Sequence, residues 1–352
     1  MYQPPGAGLG YEVIDRGITF DASGSRTVAL TCLPAVTGAV NSGSPVGGRD
    51  GDTAVYLRSP DTRTPRRICF FRFSKMQNYH LLDDPGAAPF AIDSEDDCIY
   101  HLTRGEAPDA VNLARINFQD LSVYETTSSL PAEYALTDNG ACAGNGFYFF
   151  ALKDGIYYLA RAPLSGGEAG ILGPADGVPV SVAVTRQAVY FTTQPNVPEG
   201  LDQFRRAKNP VSLYVYTFAG QAIARLDTPP LYGHIAGCRG VLCIPAMAGG
   251  LYFPSAGVFA AEYVIDRVSL SHDGKYFVFT TPDDDLIYAG SVATGRARAL
   301  NRHKSARGAG WHNQPSCAFT GDRRWVVYGS NYTNVPQAYA AYVPNNFLED
   351  LD

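Results

Sequence analysis

Apolar and polar residues along this chain come in short blocks with no sustained 3.6-residue rhythm. The clearest block runs from Gly310 to Pro344, GWHNQPSCAFTGDRRWVVYGSNYTNVPQAYAAYVP. It predicts a strand over Ser316 to Thr320, a turn at Gly321 and Asp322, an almost wholly apolar strand over Trp325 to Tyr328, and a third over Gln337 to Val343. A sheet built this way is apolar on both faces. It therefore predicts similar sheets packed on either side.

The same phrase recurs along the chain. It reads ITFDASGSRTVALTC from Ile18 to Cys32, PFAIDSEDDCIYHL from Pro89 to Leu102, NGACAGNGFYFFAL from Asn139 to Leu152 and VSVAVTRQAVYFTT from Val180 to Thr193. Three further copies are HIAGCRGVLCIP from His234 to Pro245, RVSLSHDGKYFVFTT from Arg267 to Thr281, and Gln314 to Ser330. A pair of short strands follows most copies, as in Thr53 to Arg58 with Arg67 to Phe73. Units of roughly 45 to 50 residues are the period of propeller blades. The expectation is an all-β fold, a seven-bladed β-propeller of four-stranded antiparallel blades. One domain is expected over 1–352, with Tyr11 to Thr19 closing the ring against the last blade.

Two stretches break the repeat. Thr37 to Asp52 (TGAVNSGSPVGGRDGD) is Gly/Ser-rich and reads as a surface loop in the first blade. Asn196 to Pro210 carries Arg205, Arg206 and Lys208, a cationic wall suited to an acidic substrate if it lies over the channel face beside His234 and His312.

Composition narrows the functional classes. The 36 Gly and 24 Pro punctuate apolar runs, as all-β turns do. No run approaches the length of a membrane-spanning helix, and the first residues lack a secretory pattern, so a cytoplasmic location is expected. Seven cysteines, mostly inside expected strands, read as free buried thiols, with Cys238 and Cys243 the one pair near enough across a turn to bond. A formal charge of −6 without a basic aromatic stripe argues against nucleic acid. The Asp283 to Asp285 run and Asp50 with Asp52 match no complete calcium loop and read as turns.

In a propeller the segments leading into the innermost strands converge on one face. Those positions are Asn78, Tyr79 and His80 before blade two, Tyr232 and His234 at blade five, Asp266 and Arg267 at blade six, and His312 and Gln314 at blade seven. His101, His272 and His303 fall in a strand, a turn and a connection.

The blocks SLSHDGKYFVFTT and WHNQPSCAFTGDRRWVVYGSNYTNVPQAYAAYV resemble the repeat of TolB-type propellers and, more closely, the closing blade of oligogalacturonate lyases. The resemblance implies a seven-bladed propeller that cleaves short uronic-acid oligomers by β-elimination. It also implies a divalent metal, typically manganese, held by histidines and a glutamine, with a histidine base and an arginine near the substrate carboxylate. The last blade of that family opens H-x-H-P-S-F, against His312, Asn313, Gln314, Pro315, Ser316 and Cys317 here. Gly233 and His234 resemble the family's Gly-His at an earlier blade. Arg267 stands where the family has a histidine, and Gln314 where it has the second histidine of its pair.

These departures shift the expectation from a metal to an arginine. β-Elimination needs a cation on the uronate carboxylate and a base for the C5 proton. Arg267 is the candidate cation, His234 the candidate base with His80 its rival, and Tyr79 or Tyr232 the candidate proton donor. His312, Gln314, Asn78, Tyr232, Arg205 and Arg206 are expected to bind substrate. No cofactor is expected. The partner expected is an acidic oligosaccharide, with neither nucleic acid nor membrane. A non-catalytic propeller that binds a glycan or a protein is the alternative.

Overall fold

A computed structural model of the chain describes residues 8–12, 19–20, 25–31, 36–39, 46–59, 67–83, 89–195, 210–265, 267–305, 315–331 and 337–352. Within them the only helical segment is the single turn Glu349–Leu351. All other regular structure is strand, and no described helix is long and apolar enough to cross a membrane.

Six of the repeated phrases fold as inner hairpins. Phe90–Asp93 pairs with Cys98–Arg104, Ala135–Ala143 with Gly146–Lys153, and Val178–Val184 with Ala188–Gln194. Ala236–Cys238 pairs with Val241–Pro245, Arg267–Leu270 with Tyr276–Thr280, and Cys317–Phe319 with Trp325–Ser330. Two more strands continue each hairpin outward, which makes four-stranded meanders. The first meander is Val36–Ala39, Thr53–Ser59, Arg67–Arg72 and Gln77–Asp83. The second and third merge into one nine-stranded sheet through a parallel bridge between Asn139 and Phe90, with Gly167–Glu168 added on the outer edge. Counted this way, seven meanders are present among the described residues. They are called blades 1 to 7 in chain order of their inner strands.

Strand alternation explains how they pack. In blade 3, Phe147 and Phe149 face blade 2, whereas Tyr148 and Phe150 face blade 4. In blade 6, Phe277 and Phe279 face blade 5, and Tyr276 and Val278 face blade 7. Successive side chains of a strand point to opposite faces, so a continuous apolar run serves two cores at once. Six such cores join blade 7 to 1 and 2, then 2 to 3, 3 to 4, 4 to 5, 5 to 6, and 6 to 7. The cores thus form a closed circuit. Each fully buried phenylalanine contributes about 1.5–3 kcal/mol relative to exposure.

The structure corrects the reading of the chain's beginning. Thr19–Phe20 and Arg26–Ala29 do form a hairpin, but on the outside of blade 7, where Arg26–Ala29 pairs with Gln337–Tyr342 as the fourth strand. Gly8–Glu12 goes to the other side of the seam and pairs with Gln77–Asp83 of blade 1. The segment expected to close the ring is therefore divided between two blades. The inner strand of blade 1 is Val36–Ala39, so the Gly/Ser-rich stretch read as a surface loop contributes a strand, and its Val46 is fully buried. Residues 40–45 lie outside the described set.

The acidic runs are turn caps, as read. Asp284 accepts from Leu286 N at 2.9 Å and from the Tyr288 hydroxyl at 2.7 Å, and Asp52 accepts from Ser74 N at 2.6 Å and Ser74 Oγ at 2.7 Å. Cys238 and Cys243 are both free, and in register they face Val241 and Ala236. Cys69, Cys98, Cys142 and Cys317 are free as well.

Candidate functional site

The inner strands of blades 2 to 6 enclose a cavity of about 450 Å³. Its wall is made of small and apolar residues, among them Ile92, Ala141, Val180, Val182 and Ala183. Polar groups collect at its two ends. Asn139, His234, Arg267 and Ser316 each stand five residues ahead of the turn that leaves their inner strand, and Ser94, Glu95, Arg186, Arg239 and His272 stand in the turns that leave inner strands. A small cavity with few convergent polar groups is the usual form of a ligand site.

Local chemistry fixes the leading end. The buried Thr192, on the second strand of blade 4, donates its hydroxyl to the Gly233 carbonyl at 2.6 Å, which holds the backbone just before His234. The buried Thr280 of blade 6 repeats the device, donating to the Pro315 carbonyl at 2.9 Å just before Ser316. Blades 4 and 6 each anchor in this way the segment that carries the next blade's polar residue. Position 233 also needs its glycine, because an added Cβ would lie 2.4 Å from Val180 Cγ1.

His234 and Arg267 belong to adjacent blades and line the same cavity. Burial pushes the imidazole's pKa down to about 3, and the Arg267 charge adds to the effect. His234 is therefore neutral at neutral pH and sits in the positive field of a guanidinium. The opposite end is spanned by contacts among Ser94, Glu95, Arg239 and His272.

Other expected site residues lie elsewhere. Asn78, Tyr79 and His80 are not at a channel mouth, because Gln77–Asp83 runs on as the fourth strand of blade 1. Asn78 accepts from the Tyr56 hydroxyl at 2.8 Å and donates to the Leu30 carbonyl at 2.9 Å. Tyr79 stacks on Phe70 with ring centroids 4.9 Å apart, and its hydroxyl donates to Gln77 at 3.0 Å. His80 is buried opposite Cys69. Asn78 and Tyr79 are thus engaged in the packing of blade 1 and its junction with blade 7. Tyr232 is half-buried, its backbone N–H donates to the Pro245 carbonyl at 2.9 Å, and it does not line the cavity. His312, Gln314, Arg205, Arg206, Lys208 and Asp266 lie outside the described residues.

The sequence reading missed Asn139, Ser316 and the whole trailing end. A signal existed. Asn139 and Ser316 stand five residues ahead of the turn that leaves their inner strand, as His234 and Arg267 do. His272 falls in the turn of the S-H-D-G phrase, where nothing local in the sequence marks a site.

A metal of the kind that the family resemblance implies needs donors with lone pairs. Among the described residues no three His, Cys, Asp or Glu side chains stand together, and the leading end of blade 6 presents Arg267. A guanidinium has no lone pair to give and repels a divalent ion. The described residues therefore do not fit a metal there.

No protein-family model matches the sequence, and no curated protein matches it by sequence. Solved structures do match by shape. An oligogalacturonate lyase in complex with manganese superposes with a TM-score of 0.68 at 14% identity, covering 99% of this chain and 98% of that one. The oligogalacturonate lyase of Vibrio parahaemolyticus gives 0.66 at 13% identity over 94% and 97%. TolB of Acinetobacter baumannii gives 0.45 at 13% identity over 89% and 80%. At such identities the likeness to the two lyases is one of fold: this chain is a β-propeller with their architecture along nearly its whole length.

Proposed function

We propose that this protein is a lyase that cleaves a uronic-acid-containing oligosaccharide by β-elimination. The observation that carries the reading is the pairing of His234 with Arg267 at one end of the cavity, on a fold shared with oligogalacturonate lyases. Arg267 receives the uronate carboxylate. Neutralising that charge acidifies the neighbouring C5–H, and a guanidinium does so with two parallel hydrogen bonds. His234, neutral in the free site, takes the C5 proton; the electron pair forms the C4–C5 double bond, and the C4–O bond breaks. Tyr79 and Tyr232 do not line the described cavity, which favours a proton donor other than these two. The imidazolium formed at His234 returns its proton to the leaving oxygen.

The bound carboxylate matters twice. It is activated by Arg267, and it offsets the charge that holds the His234 pKa down, so the base strengthens only when substrate is present. Asn139 and Ser316 line the same end and supply hydrogen bonds for sugar hydroxyls.

The test is absorbance of the unsaturated product across a panel of acidic oligosaccharides, with and without exhaustive chelation. Activity is expected to survive chelator, and Arg267→Ala or His234→Ala to lower it by about 10² or more. Loss in chelator with recovery on adding manganese would overturn the arginine mechanism. Absence of product on every acidic glycan would leave a non-catalytic, glycan- or protein-binding propeller.

A further inference from the structure

The trailing end of the cavity is bridged by side chains from blades that are not neighbours. Ser94 Oγ lies 3.0 Å from His272 Nδ1, and Arg239 Nε donates to Glu95 Oε1 at 3.0 Å. Ser94 and Glu95 follow the inner strand of blade 2, Arg239 that of blade 5, and His272 that of blade 6. On this ring blade 2 adjoins blades 1 and 3, so both contacts cross the channel. Arg239 Nη2 also lies 3.1 Å from His272 Nε2, and Cys238 Sγ donates to the His272 carbonyl at 3.0 Å. The two sides are thereby tied into one cluster.

Its protonation follows from the partners. Arginine only donates, so Nε2 of His272 accepts and Nδ1 carries the hydrogen that points to Ser94 Oγ. His272 in this tautomer cannot take the serine proton, which removes nucleophilic catalysis as the role of the pair. The cluster has two layers. Ser94 and His272 are 8% and 7% exposed, while the Arg239 and Glu95 side chains above them are 34% and 54% exposed. An inner sealed layer under an outer wetted one is the build of a plug.

We propose that Ser94, Glu95, Arg239 and His272 form a floor across the channel, which stops a ligand entering at the His234–Arg267 mouth and sets the length over which the site tells ligands apart. Arg267 and His272 are five residues apart, which at about 3.3 Å per residue puts the floor roughly 15 Å below the mouth. The effect on ligand length rests on the uronate-lyase reading. The seal does not.

The double variant Glu95→Ala/His272→Ala removes one side chain from each layer. Cys142 and Cys238 line the cavity, and burial raises both thiols, so they report access to its interior. Labelling of these two cysteines by a charged maleimide, followed peptide by peptide by mass, is expected to run at least about tenfold faster in the variant. An unchanged rate in a variant with parental circular dichroism would overturn the seal. Should the double variant not fold, Glu95→Lys sets like charge against Arg239 without emptying the inner layer; faster labelling supports the floor, and a parental rate counts against it. The second arm compares a four-unit with a two-unit oligogalacturonate. The ratio of their kcat/KM values is expected to rise at least about tenfold in the opened variant. Faster labelling with an unchanged ratio would overturn the depth-setting role and leave only a seal. A parent inactive on both oligomers would end the lyase reading, while the labelling arm still decides the floor.

Discussion

At His234 two effects act in one direction. Burial disfavours the imidazolium, and the Arg267 charge disfavours it further, so the pKa lies near 3 against an ordinary value of about 6.5. The unfolded chain therefore binds more protons than the folded one between those values. The cost to stability is absent above about pH 6.5 and grows as pH falls toward 3. His101, buried in blade 2 with its pKa lowered by burial to about 4, adds in the same sense. For the site, a histidine NMR titration should give His234 a pKa below about 4 in the free protein and a clearly higher one with saturating galacturonate oligomer. A free-protein pKa near 6.5 would separate His234 from Arg267 and undo the proposed activation. At this scale the sequence was partly legible. The places of His234 and Arg267 on the cavity were legible because each opens a repeat at the start of an apolar run. Asn78 to His80 misled because a fourth strand running to Asp83 looks, in sequence, like a segment leading into the next blade. The cross-channel cluster was hidden, since nothing local in S-E-D-D or S-H-D-G says that two turns 178 residues apart meet.

Among elements, the second strand of each blade is the most informative, because its two faces feed two cores. Phe150 is fully buried, faces blade 4, and meets Phe191 edge-on with ring centroids 5.3 Å apart. Phe150→Ala would lose the transfer energy of the ring and leave a cavity between two blades. Denaturant unfolding should show a loss of about 3–5 kcal/mol. Tyr124→Ala, on the outer strand of blade 2 and 66% exposed, should stay within about 0.5 kcal/mol. Equal effects would mean that the alternation does not define the cores. Hairpins were legible because Gly, Asp and Asn turns punctuate apolar strands. What could not be read was whether a hairpin is inner or outer. Thr19–Phe20 with Arg26–Ala29 carries the same pattern as an inner pair, and only its partners Gln337–Tyr342 place it on the rim of blade 7. The inner strand Val36–Ala39 was obscured by the Gly/Ser-rich residues around it.

For the whole molecule, the decisive feature is that the circuit of cores is closed by strands far apart in sequence. Arg26–Ala29 completes blade 7 beside Gln337–Tyr342, and Thr31 Oγ1 donates to Gln337 Oε1 at 2.6 Å in the same seam. Ser25 Oγ donates to the Tyr342 carbonyl at 2.8 Å, and Asn301 of blade 6 reaches across to Thr27 Oγ1 at 2.8 Å. Val28 is 7% exposed and packs in the core that joins blade 7 to blades 1 and 2. A carboxylate there would be buried without a partner, a change worth about 3–5 kcal/mol, while the strand's backbone pairing would be left in place. If the ring unfolds as one unit, damage at the seam must reach blades on the far side. Val28→Asp should then lower the melting temperature by roughly 5–10 °C and keep one transition, with near-ultraviolet dichroism and Cys243 labelling in blade 5 moving together. Two separated transitions, with Cys243 protected through the first, would show that the seam opens by itself and that the remaining blades are stable without it.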